Sequence, residues 1–71
     1  MKHLLNPEFI TKILILRNGN YVDELEVKAN SIEEVKRIVR NKHRSKSILH
    51  LWITQPETKT DLKLNIQAWR Y

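Results

Sequence analysis

Seventy-one residues, 41% of them apolar and 30% charged, with one glycine, two prolines and no cysteine, describe a single small globular domain over 1–71. They exclude a disulfide scaffold and a Cys-based zinc site. A chain of this length buries only about 60% of its unfolded surface, so a second copy is an expected aid to stability and a homodimer is among the expected partners. The net charge of +5 is uneven: residues 1–35 hold four Lys/Arg against six Asp/Glu, and residues 36–71 hold nine against two. An anionic partner follows from that asymmetry, either nucleic acid or an acidic protein surface, and a DNA mimic is excluded by its sign.

The N-terminal MKHLLNPEF holds only the apolar pair Leu4-Leu5 before Pro7. That is far short of a signal peptide, and no apolar run reaches the ~20 residues of a membrane span. The expectation is a cytoplasmic protein with no membrane contact and an irregular segment over 1–9. Ile, Lys and Asn together supply 22 of the 71 residues, a bias typical of AT-rich genomes, which include many phages and mobile elements.

In chain order, ITKILIL leads through Arg17-Asn18-Gly19-Asn20 into YVDELEVKA. Asn-Gly supplies the positive φ angles of a tight hairpin, so strands β1 (about 10–17) and β2 (about 21–28) are expected to pair antiparallel. A three-residue loop, Asn18-Gly19-Asn20, sets Lys12 opposite Glu26 and Ile13 opposite Leu25. A two-residue loop would shift the register by one and flip the faces, so the three-residue loop is expected. Ser31 with Glu34 three residues on forms a capping box, and Ile32, Val35, Ile38 and Val39 recur at helical spacing, which predicts a helix over about 32–43.

SILHLWIT (47–54) and TDLKLNIQAWRY (60–71) then alternate as strands β3 and β4, separated by QPETK around Pro56. The resulting order ββαββ predicts an α+β fold: a four-stranded, mainly antiparallel sheet with one helix packed on one face. Alternation assigns Leu49, Leu51 and Ile53 of β3, with Leu62, Leu64, Ile66 and Ala68 of β4, to the helix side. His50, Trp52, Lys63, Trp69 and Tyr71 fall on the uncovered side, where Leu4, Leu5 and Phe9 of the N-terminal segment could fold over them.

The stretch KRIVRNKHRSK (36–46) holds six Lys/Arg and one His with no acidic residue. A helix C-terminus favours cations, but that effect fades within the last turn and does not extend to Lys46. Lys36, Arg37, Arg40, Lys42, His43, Arg44 and Lys46 are therefore the expected phosphate contacts. Trp52, Trp69 and Tyr71 are the expected stacking residues, the pairing of parts that single-stranded nucleic acid binders use. The function expected is a small, non-enzymatic regulatory or accessory module that binds RNA or single-stranded DNA. The alternative is a protein-interaction module, such as a phage-type inhibitor or modulator of a host enzyme.

Chemistry is sparse elsewhere. His3, His43 and His50 fall at no metal-ligand spacing, so neither metal nor cofactor is expected. Asp23, Glu24 and Glu26 are more simply read as cross-strand partners of lysines than as catalysts. His43, Arg44 and His50 are the residue types of a metal-independent ribonuclease, but nothing in their spacing fixes a mutual geometry, and no enzyme is expected. The segment EVKANSIEEVKRIV followed by ILHLWI is similar in outline to the strand, capped helix and strand of the small epsilon subunit of bacterial RNA polymerase and of some compact ribosomal proteins. The likeness spans residues 26–53 and carries no functional residue across.

Overall fold

The computed structural model describes residues 5–44 and 47–67. Its element order is β1 (Thr11–Arg17), β2 (Asn20–Val27), α1 (Ile32–Lys42), β3 (Ile48–Gln55), a short 3-10 turn (Pro56–Thr58) and β4 (Thr60–Gln67). The strands form one sheet in the order β2-β1-β3-β4, with every neighbouring pair antiparallel. This is the α+β, ββαββ arrangement expected from the sequence. Since β1 lies between them and runs against both, β2 and β3 are parallel. Helix α1 is the crossover that joins them, descending from the Val27 end of the sheet to the Ile48 end.

The hairpin register is the expected one, Lys12↔Glu26 and Ile13↔Leu25, but its cause is different. The loop has two residues, not three: Asn18 (φ 54) and Gly19 (φ 78) are both left-handed, as a type I′ turn requires, and Arg17 faces Asn20 directly. A bulge between Ile15 and Leu16 then skips Val22, so that Ile15 faces Asp23 and Leu16 faces Tyr21. Without that extra residue the turn would aim Glu24 and Glu26 into the core and Leu25 into water. Burying two carboxylates costs far more than one irregular ladder step, so burial overrides the turn.

Helix α1 starts as its capping residues dictate. Ser31 is extended (φ −159), and its side chain accepts from the Glu34 N–H at 3.2 Å. The Glu34 carboxylate reaches back one residue further than a standard capping box, accepting from the Asn30 N–H at 2.7 Å. Val35 and Val39 are fully buried, Ile32 and Ile38 pack at the margin, and both sets meet Ile13, Ile15, Leu49, Leu51, Ile53 and Ile66 of the sheet. Leu64 joins as a partly buried neighbour, and Ala68 lies outside the described residues.

Among the described residues, the N-terminal segment does not fold over the open side of the sheet. Leu5 is 5% exposed and belongs to the helix-side core, while Phe9 stays 37% exposed; Leu4 lies outside the described residues. What anchors the segment is Gln55, a 0% exposed residue on the same strand face as Ile53. Its amide Nε2 donates to Asn6 O (2.9 Å), Phe9 O (3.2 Å) and Thr11 Oγ1 (2.9 Å), two hydrogens shared among three acceptors. Its Oε1 accepts from Asn6 N (2.9 Å) and Thr58 Oγ1 (2.8 Å). A buried amide is tolerable only when satisfied in this way. The polar plug closes one end of the core and leaves the opposite sheet face uncovered among the described residues.

Candidate nucleic-acid interface

Helix α1 ends beside the β1–β2 turn, at the end of the sheet where β3 begins and β4 finishes. Two contacts place it there: Arg40 Nε donates to Gln67 O at 3.3 Å, and His43 Nε2 donates to Asp23 Oδ2 at 2.8 Å. The N–H of His43 closes the helix by donating to Val39 O at 2.8 Å. This end of the molecule carries Lys42, 3.5 Å from Asp23 of β2, Arg40 across the sheet at the end of β4, Arg17 at the close of β1 and Arg44 just past the helix. Four cations against one carboxylate leave +3, and the helix terminus subtracts only about half a charge. A positive field therefore remains at this end before His43 adds any.

The expected phosphate contacts are not one uniform patch. Lys36 Nζ lies 3.5 Å from Glu33 and Arg37 3.6 Å from Glu34, a turn or more back from the helix end. Lys42 lies 3.5 Å from Asp23. Ion pairs of this kind at a surface are worth at most about 1 kcal/mol and yield to a better anion. Arg44 is exposed and has no carboxylate partner among the described residues, while Lys46 lies outside them.

Asp23 is the electrostatic centre of this end. The hydrogen bond from His43 comes first, followed by the Glu24 N–H (2.8 Å) and the charge of Lys42, and together they hold its carboxyl below the ordinary carboxylate range. A group whose folded pKa is depressed contributes stability above its unfolded value and loses it as pH falls through the folded one. Asp23→Asn is accordingly expected to be less stable than the parent at about pH 5, with the difference shrinking toward about pH 2. Urea unfolding at the two pH values measures it, and a difference that stays constant would mean that the Asp23 charge plays no part.

Of the three expected stacking residues, Trp52 is described and is 38% exposed on the uncovered sheet face. Trp69 and Tyr71 lie outside the described residues. Trp52 is not a free platform. Its Nε1 donates to Asp61 Oδ1 at 2.7 Å, the ammonium of Lys63 sits 4.6 Å from its ring centroid, and Leu14, Lys12, Glu24 and Thr54 line the groove of about 200 Å³ beside it. Glu24, Glu26 and Asp61 share this face with Lys12 and Lys63, so its field does not favour phosphate.

Two residues at the basic end were absent from the sequence-based set: Arg17, and Tyr21, which at 63% is the most exposed large apolar side chain among the described residues. Both flank the Asn18-Gly19 turn. Only the path of the crossover helix brings that turn to the cationic helix end, and no local pattern signals it. His50 also points to the open face, donating from Nδ1 to Asn65 Oδ1 at 2.6 Å, and lies strands away from His43, which is engaged with Asp23. The ribonuclease constellation is not assembled.

Among the described residues, no group of three or more His, Asp or Glu side chains could hold a metal, and no helix is long and apolar enough to cross a membrane. Comparison of the chain with protein-family models, with curated proteins and with solved structures finds no match. The outline likeness over residues 26–53 therefore assigns no family.

Proposed function

We propose that the protein is a non-enzymatic binding module that contacts RNA or single-stranded DNA through the end of the sheet where helix α1 terminates. Arg17, Arg40, Lys42 and Arg44 meet phosphates there, and Tyr21, beside the turn, stacks on an unpaired base. The observation that carries this reading is that Arg17 at the close of β1 and Arg40, Lys42 and Arg44 at and just past the close of α1 lie at one end of the sheet. Trp52 is left out of the contact surface because its ring is already engaged by Lys63 and Asp61, and Lys36 and Arg37 act only as more distant charge.

Neutralising about three phosphates on a single strand gives a log–log salt slope near −2, so affinity for an oligo(U) or oligo(dT) probe should fall about 10–20-fold between roughly 50 and 200 mM salt. Fluorescence anisotropy with both probes reads this and shows whether the 2′-hydroxyl matters. Absence of binding at the lower salt concentration would reject the proposal. The alternative reading, a module that docks on another protein, is favoured by the uncovered sheet face. A partner complex that survives nuclease treatment separates it from the first.

A further inference from the structure

The uncovered face of the sheet is ordered in rows across the four strands. One row reads Glu24, Leu14, Trp52, Lys63 from the β2 edge to the β4 edge: an anion at one end, a cation at the other, and two apolar groups between them. From this row we propose that a second copy of the chain packs on the face by a two-fold axis parallel to the strands. That operation lays β2 of one protomer over β4 of its partner and superposes the row on its own reverse. Glu24, exchanging its exposed pair with Lys12 (3.8 Å), then meets the partner's Lys63, which leaves the partner's Trp52 ring to be covered by Leu14, and each contact occurs twice, as an isologous interface requires.

The charges of the Glu24 row favour this axis over its rival. A two-fold perpendicular to the strands would lay β2 over β2 and β4 over β4, facing the Glu24 and Glu26 edge with itself and Lys63 with Lys63. In the row beyond, Glu26, Lys12, Thr54 and Asp61, the same axis sets Glu26 toward the partner's Asp61, an opposing like-charge contact at the corner of the footprint, where the roughly 30° angle between packed sheets moves the two carboxylates apart. In the row on the other side, Leu16 meets the partner's His50, and Tyr21, opposite Leu16 at the β2 corner beside the turn, lies at the rim of the footprint, where a base still reaches it. Nothing else among the described residues covers this face, because Leu5 joins the core on the helix side.

Four strands about 4.8 Å apart and seven residues long at about 3.3 Å each give a footprint near 400 Å² per protomer before side-chain relief. With relief the interface approaches about 1,000 Å² in total, the lower bound for specific association. A dissociation constant in the micromolar range is expected. The axis also brings the basic ends of both copies to the same end of the dimer. The dimer itself does not depend on the nucleic-acid reading.

The test is a charge exchange read by analytical ultracentrifugation at about 100 µM protein. The parent chain is expected to be dimeric. Glu24→Lys alone and Lys63→Glu alone, each checked for fold by circular dichroism, should weaken association at least tenfold, because each sets like charges together twice. An equimolar mixture of the two variants should recover the dimer, since both ionic contacts of the mixed pair are again of opposite sign. A parent chain that stays monomeric, leaving the face to a different protein, overturns the proposal, as does a mixture of folded variants that fails to associate.

Discussion

Gln55→Leu is expected to lower the free energy of unfolding by about 2–3 kcal/mol, out of the roughly 4–10 kcal/mol available to a domain of this size. Leucine has nearly the volume of glutamine, so the change opens no cavity and isolates the hydrogen bonds. It deprives Asn6 N, Asn6 O, Phe9 O, Thr11 Oγ1 and Thr58 Oγ1 of their common partner. The half-buried groups recover water and the Thr11 hydroxyl, which is buried, does not, which keeps the sum below five full penalties. At a urea slope near 1 kcal/mol per molar, the midpoint should fall by about 2–3 M. Thr11→Val, which removes one acceptor and keeps the shape, should cost about 1 kcal/mol and be coupled to Gln55→Leu in a double-mutant cycle. A Gln55→Leu midpoint within error of the parent would show that the N-terminal segment is held by something other than this side chain.

Arg40→Glu with Arg44→Glu is the decisive variant for the proposed interface. The two reversals turn the +3 of the basic end to −1 while touching, among the described residues, only one internal contact, the exposed bond from Arg40 to Gln67 O. Affinity for the oligonucleotide should drop about a hundredfold or more at low salt. Lys36→Glu with Arg37→Glu changes the net charge of the chain by the same amount but lies a turn or more away, beside Glu33 and Glu34, and should cost less than about tenfold. Equal losses in the two variants would mean that the probe senses overall charge and that no site exists at the helix end.

The largest difference between what the chain shows locally and what the fold does lies in the use of cations. Lys36 to Lys46 reads as one basic run, yet Lys36 and Arg37 turn toward carboxylates three residues earlier on the same helix, while Lys42 and His43 turn to Asp23 on another strand. The i,i+3 pairs follow from helical periodicity. The Asp23 contacts do not, because they depend on where the crossover ends and on a bulge that turns Asp23 toward the helix. Trp52 shows the same division: alternation places it on the open face, but the engagement of its ring by Lys63 and Asp61 requires knowing that β4 pairs beside it in that register.

Periodicity and local chemistry were enough, from the sequence alone, for the ββαββ order, the capped helix, a hairpin turn around Asn18-Gly19, though not its length, and the apolar faces of β3 and α1. Each of these is decided by neighbours within about four positions, through side-chain period, φ preference or a capping hydroxyl. Tertiary structure decided the rest: the strand order, the bulge at Ile15, the burial of Gln55 and Leu5 at one end of the core, and the placing of Arg17 and Tyr21 at the same end of the sheet as the helix terminus. These arrangements join residues tens of positions apart, and what selects them is the cost of leaving a carboxylate, an amide or an apolar surface in the wrong medium once the whole chain is packed.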